Sequence, residues 1–117
     1  MSYTRIEQRI QQEAPVLLEE KGYISPIDLL IKMDKLTAKQ VEDWRHNRIP
    51  YLEKVISGNL KNLNHVLLTL RTFASRKNLK SSITVYKSWG KKPKKKLRFS
   101  KTGNPYMEKL YSTHYVK

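Results

Sequence analysis

The sequence predicts a compact, mainly α-helical single domain with a small β-hairpin near its C-terminus. Three observations carry this. The chain has 117 residues, a length at which one hydrophobic core forms and two do not. Apolar residues recur at helical spacing through most of it, most regularly over residues 59–77, and several of these runs open on a capping residue. After residue 78 the pattern changes to a β-branched run, Ile83-Thr84-Val85-Tyr86, beside which Leu97-Arg98-Phe99 can return.

The first helix is expected to start near Thr4, whose hydroxyl caps the turn while Glu7 reaches back, with Ile6, Ile10, Ala14, Leu17 and Leu18 inward. Pro15 removes a backbone donor and crowds the preceding turn, so a kink or break is expected at residues 12–14. Gly22 closes the helix. Ser25-Pro26-Ile27-Asp28 then supplies an N-cap, a first-turn proline and an acid suited to the helix dipole, opening a short helix with Leu29, Leu30 and Met33 inward. Thr37 and Gln40 form a capping box for a helix carrying Val41 and Trp44, which ends by residue 47 or 48 because Ile49 precedes a proline.

Pro50 starts another short helix with Leu52, Val55 and Ile56 on one side, and Gly58 ends it. In the long helix over residues 59–77, Leu60, Leu63, Val66, Leu67, Leu70, Phe73 and Ala74 share an arc of about 140°. The opposite arc holds Lys61, His65, Arg71 and Arg76 without an acid. Residues 83–86 and 97–99 pair as the hairpin around an exposed connection at 90–96. Asn104-Pro105 caps a final helix through Met107, Leu110, Tyr111 and His114.

Charge divides the single domain, residues 1–117, into two halves. The net charge is +14; residues 1–53 carry eight Lys/Arg against nine Asp/Glu, and residues 54–117 carry sixteen against one. A near-neutral half thus joins a strongly basic one, a polarity that steers polyanions and speeds their association. The peak is residues 87–101, where Lys87, Lys91, Lys92, Lys94, Lys95, Lys96, Arg98 and Lys101 stand among Trp89, Leu97 and Phe99. As a hairpin tip these lysines resemble the wing of winged-helix proteins. Lysine supplies charge without fixed geometry, so the tip suits phosphates and does not read bases. With five or six phosphates engaged, the log-log salt slope on duplex DNA is expected at about −4.5 to −5.4.

Residues 25–47 resemble a helix-turn-helix, which would point Lys39, Gln40, Asp43 and His46 at bases. Gln40 suits adenine, and Lys39 suits guanine or phosphate. Glu42 and Asp43 oppose that use, the turn lacks glycine, and a plain helical hairpin has the same pattern. The string Trp44-Arg45-His46-Asn47-Arg48-Ile49-Pro50-Tyr51-Leu52-Glu53 resembles a segment of small uncharacterised bacterial proteins that carry Trp-Arg-x-x-Arg-Ile-Pro-Tyr-Leu-Glu. That resemblance implies a bacterial, intracellular setting and no particular activity. Physically, Trp44 belongs in the core, and Arg45 and Arg48 brace the elbow, paired with Glu53, or contact phosphates. Trp89 and Phe99 are expected in the core, with base stacking as the alternative.

Without cysteine there are no disulfides, thiolate nucleophiles or Cys-ligated zinc. His46, His65 and His114 lack the spacing that places two imidazoles on one helix face, so no metal and no cofactor is expected. Arg5, Glu7 and Arg9 stand where a signal peptide would be apolar, and no apolar run spans a membrane, so the expected location is cytoplasmic. The expected function is nucleic-acid binding, DNA ahead of RNA. Its footprint comprises Lys61, Arg71 and Arg76 of the long helix with Lys87, Lys91, Lys92, Lys94, Lys95, Lys96, Arg98 and Lys101. The alternatives are an adaptor whose basic face docks an acidic protein, and a small RNA-cleaving enzyme using His65 and His114.

Overall fold

A computed structural model describes residues 3–90 and 93–117; Lys91 and Lys92, two of the expected phosphate contacts, lie outside the described residues. Among the described residues the order is α1 (Tyr3–Lys21), β1 (Tyr23–Ile24), α2 (Pro26–Lys32), α3 (Ala38–Arg45), a 3-10 turn (Leu52–Lys54), α4 (Leu60–Arg76), β2 (Lys80–Ile83), α5 (Pro105–Ser112) and β3 (Thr113–Val116). The mainly helical expectation holds. No helix among these residues is long and apolar enough to cross a membrane.

α1 buries Ile6, Ile10, Ala14 and Leu17 and packs on α2 and α4, and α4 buries Leu63, Val66, Leu67, Leu70 and Ala74. The helix runs through Pro15 unbroken, against expectation. Pro15 is exposed while Ala14 and Leu17 on either side are buried, so packing of both halves outweighs one lost backbone bond. Thr4 lies inside α1 and makes no cap. The other caps form as the residue types dictate: Ser25 Oγ accepts from Asp28 N–H, Thr37 and Gln40 close a capping box, and Asn59 Oδ1 accepts from Asn62 N–H. Leu60, expected inward, is 64% exposed because it is the first helical residue, at the margin of the apolar arc.

The sheet departs most from expectation. β3, formed by the last residues of the chain, is its central strand, with antiparallel β1 and β2 on either side. The final helix therefore ends at Ser112, and His114 lies on a strand. The expected hairpin is reduced to one bridge, Lys87 with Lys96, flanked by Ser88 N–H to Lys95 O (2.8 Å) and Leu97 N–H to Tyr86 O (2.9 Å). The strand lies earlier, at Lys80–Ile83, and pairs with β3. Arg98 and Phe99 are held elsewhere: their carbonyls accept Leu52 N–H (3.2 Å) and Glu53 N–H (2.9 Å). This docking limits the segment after Pro50 to one 3-10 turn.

An aromatic cluster completes the core. Trp44 is fully buried, its indole N–H donates to Arg98 O at 2.9 Å, and it packs on Phe99 and Tyr86. Phe99 stacks on Tyr111 with centroids 5.1 Å apart and planes 2° from parallel. Through this cluster the most basic segment is fastened to the core.

Candidate nucleic-acid interface

Residues 87–90 and 93–101 form a strap across the end of α3 and the 3-10 turn. Its side chains divide by chemistry: Ser88, Leu97, Phe99 and Ser100 are buried, and Lys87, Lys94, Lys95, Lys96, Arg98 and Lys101 are exposed. The buried serine Ser88 clamps the lysine run, its Oγ accepting Lys95 N–H at 2.9 Å. Anchors and cations share residues 95–101, so the charges there are displayed from a hydrogen-bonded backbone.

Trp89 is 48% exposed, a correction to the core placement expected for it. Trp44, Tyr86 and Phe99 fill the aromatic core, and Trp89 rests on the polar end of α3 instead. Its backbone N–H donates to Arg45 O at 2.7 Å, the Arg45 guanidinium lies 4.8 Å from its ring centre, and His46 meets its ring at a steep angle. Arg45 also donates to Lys87 O at 2.8 Å and lies 4.9 Å from the Tyr86 ring centre. Burial lowers the Arg45 pKa, opposed by Tyr86, without making this guanidinium neutral in the ordinary range. A half-open indole is thereby fixed beside the lysines.

Carboxylates decide where positive charge is left over. Before residue 50 they pair with cations: Arg9 with Glu13 and Asp34, Lys21 with Asp28, Lys32 with Glu20, and Lys39 and Arg48 with Asp43. The Lys39 and Arg48 hydrogen bonds hold the Asp43 carboxyl below the usual carboxylate range. Arg48 thus braces through Asp43, not through Glu53 as expected.

Glu53 and Glu108, the two acids after residue 50, are used differently. Glu53 accepts from Lys101 N–H (3.1 Å) and Tyr111 O–H (2.8 Å), and burial together with this carboxylate raises the Tyr111 phenol far above its ordinary pKa. Glu108 accepts from Phe99 N–H (3.0 Å), Ser100 N–H (2.7 Å) and Ser100 O–H (2.7 Å). Both carboxylates hold the strap in place. Among the described residues no lysine or arginine from Lys54 onward makes an ion pair. Sequence reasoning missed Glu108; its signal was its solitude, a single acid in an otherwise acid-free half.

The expected footprint is only partly assembled. Lys87, Lys94, Lys95, Lys96, Arg98 and Lys101 share the strap, with Arg98 over the Tyr51 ring. Lys61, Arg71 and Arg76 are exposed on α4, and no hydrogen bond or ring contact joins them to the strap among the described residues. They are also divided among themselves. Arg76 lines a depression shared with α1, and Arg71 lines another shared with the sheet and α5.

In the α2–α3 pair, Gln40 Oε1 accepts Thr37 N–H at 2.9 Å and Lys39 Nζ is 2.8 Å from Asp43. All four residues expected at bases have partners within the protein, Asp43 with Lys39 and Arg48 and His46 against the Trp89 ring. Asp34, in the connecting turn, adopts φ +60° and fills the place of the missing glycine.

The histidines do not converge. His65 Nε2 meets Glu7 Oε1 at 3.0 Å and its ring stacks on Tyr3. His114 contacts Tyr86, Thr84 and Tyr23. Among the described residues no cluster of three metal-ligating side chains occurs. Compared with protein-family models, with curated proteins and with solved structures, the chain matches none of them.

Proposed function

We propose that the protein binds nucleic acid, with the strap as its contact surface. The observation that carries this is the use of Glu53 and Glu108: together they fix the strap's backbone and the Tyr111 phenol, and among the described residues the strap's cations face solvent without an internal counter-ion. Phosphates supply that counter-charge, and lysines that replace condensed cations along a strand release them to solvent. Trp89 beside Arg45 adds a surface on which an unpaired base can stack. The α2–α3 pair, whose Lys39 and Gln40 have internal partners, positions the strap and lends duplex DNA no special claim.

The test is a titration of nuclease-treated protein against duplex DNA, duplex RNA and single strands across a range of salt. Each phosphate contact contributes about −0.9 to the log-log slope on duplex DNA and about −0.7 on single strands. Replacing Lys91, Lys92, Lys94, Lys95 and Lys96 by Gln flattens the slope. An unchanged slope places the interface elsewhere, and absence of saturable binding at physiological salt rejects the proposal in favour of an acidic protein partner.

A further inference from the structure

A second basic surface shares no residue with the strap. Arg71 of α4 and Lys109 of α5 line one depression of about 400 Å³, together with Ser81 and Ile83 of β2, Tyr106 of α5 and Tyr115 of β3. No Asp or Glu lines it. The one acid on α5, Glu108, has both oxygens occupied by Phe99 and Ser100. Two cations from different helices therefore line one concavity that no carboxylate lines. An anion bound there is attracted by both.

The rest of the lining narrows the ligand. Tyr106 is 53% and Ile83 59% exposed, so two large apolar surfaces stand open to water beside the cations. The Arg71 guanidinium reaches to 3.5 Å from the Tyr106 hydroxyl, which brings the charged and aromatic walls together. Guanidinium forks match phosphate oxygens in pairs, and a ring laid on tyrosine and isoleucine covers apolar area. The volume lies within the range of small-molecule sites.

We infer that this depression binds a phosphate monoester attached to a planar ring, with Arg71 and Lys109 taking the phosphate and Tyr106 and Ile83 the ring. That is the chemistry of a free nucleoside monophosphate and of the phosphorylated end of a strand. The inference stands apart from the strap proposal, since neither surface needs the other.

The test follows amide shifts and heats while the intact protein is titrated with adenosine monophosphate, adenosine or inorganic phosphate. Adenosine monophosphate should saturate with shifts at α5 and β2 and bind more tightly than either fragment. Arg71→Gln and Lys109→Gln should each weaken it at least tenfold, Arg71→Lys by less, and Gln at Lys94, Lys95 and Lys96 should leave it unchanged. All five residues altered in this way are exposed, and thermal unfolding of each variant verifies the fold. A 5′-phosphorylated oligonucleotide that outbinds its 5′-hydroxyl counterpart, by a margin Arg71→Gln removes, assigns the site to strand ends; equal binding of the two assigns it to free nucleotide. No saturation at millimolar ligand, or saturation indifferent to both Gln variants, overturns the inference.

Discussion

Glu108→Ala should loosen the strap, and the size of the effect follows from three hydrogen bonds. The carboxylate accepts from Phe99 N–H, Ser100 N–H and Ser100 O–H, and both donor residues are 2% exposed. Removing it leaves two buried amides without a partner, at about 1–3 kcal/mol each. The Ser100 hydroxyl is less affected, because its oxygen still accepts from Gly103 N–H. Water entering the space recovers part of the loss, so the expected destabilisation is about 3 kcal/mol, a fall in Tm of roughly 10–15 °C for a chain of this size. Glu108→Gln keeps one acceptor oxygen and should lose about half as much. Urea unfolding followed by tryptophan fluorescence measures both variants. The alanine variant should also bind nucleic acid less well, although its net charge rises by one, because the displayed lysines lose their fixed backbone. A stability loss below about 0.5 kcal/mol would refute the assigned role of the carboxylate.

Pro15→Ala should stabilise the protein by about 1–2 kcal/mol, the restored helical bond exceeding the added flexibility of the unfolded chain; a loss in urea unfolding would mean that α1 depends on the proline. Trp89→Ala should lower single-strand affinity by about 1–3 kcal/mol while leaving the Tm nearly unchanged, and an equal loss on duplex would exclude stacking. Burial, opposed by Asp28, holds the His114 pKa below 6.5, so the unfolded chain takes up a proton that the folded chain resists. This contribution to stability is complete above pH 6.5 and is lost as pH falls from there toward the folded pKa. The slope is at most about 1.4 kcal/mol per pH unit, and partial exposure of the ring reduces it. His114→Gln, unfolded alongside the wild type across that window, should flatten the corresponding part of the pH profile; an identical profile would refute the assignment.

The helices were legible where a local group fixes them. Ser25 and Thr37 cap because their hydroxyls reach an amide three residues on, and α4 shows its inner face in its spacing alone. The sheet was not legible, since β1 has two residues and β3 four, and Leu110, Tyr111 and His114 also fit a helix. What turns Thr113–Val116 into a strand is pairing with residues near 23 and 80, a non-local choice that no window of sequence contains. The strap's composition was legible, but its anchoring was not. Trp44 and Trp89 are the same residue type, and only the packing of Tyr86 and Phe99 on Trp44 puts one inside and leaves the other half open.

The placement of carboxylates gives salt two opposing effects. In the first half, acids neutralise cations through exposed or half-exposed pairs that contribute little and weaken with screening. Glu53, at the boundary, and Glu108, the one acid of the second half, bind backbone amides instead, and the strap's cations repel one another throughout the folded state. Screening relieves that repulsion, so the fold should gain stability with salt over the range in which nucleic acid is released. The two dependences share a cause. Replacing strap lysines by glutamine should therefore reduce both slopes together, and a variant that flattened the binding slope while leaving the stability slope intact would show that repulsion within the fold arises elsewhere, for instance in the depression that Arg71 and Lys109 line.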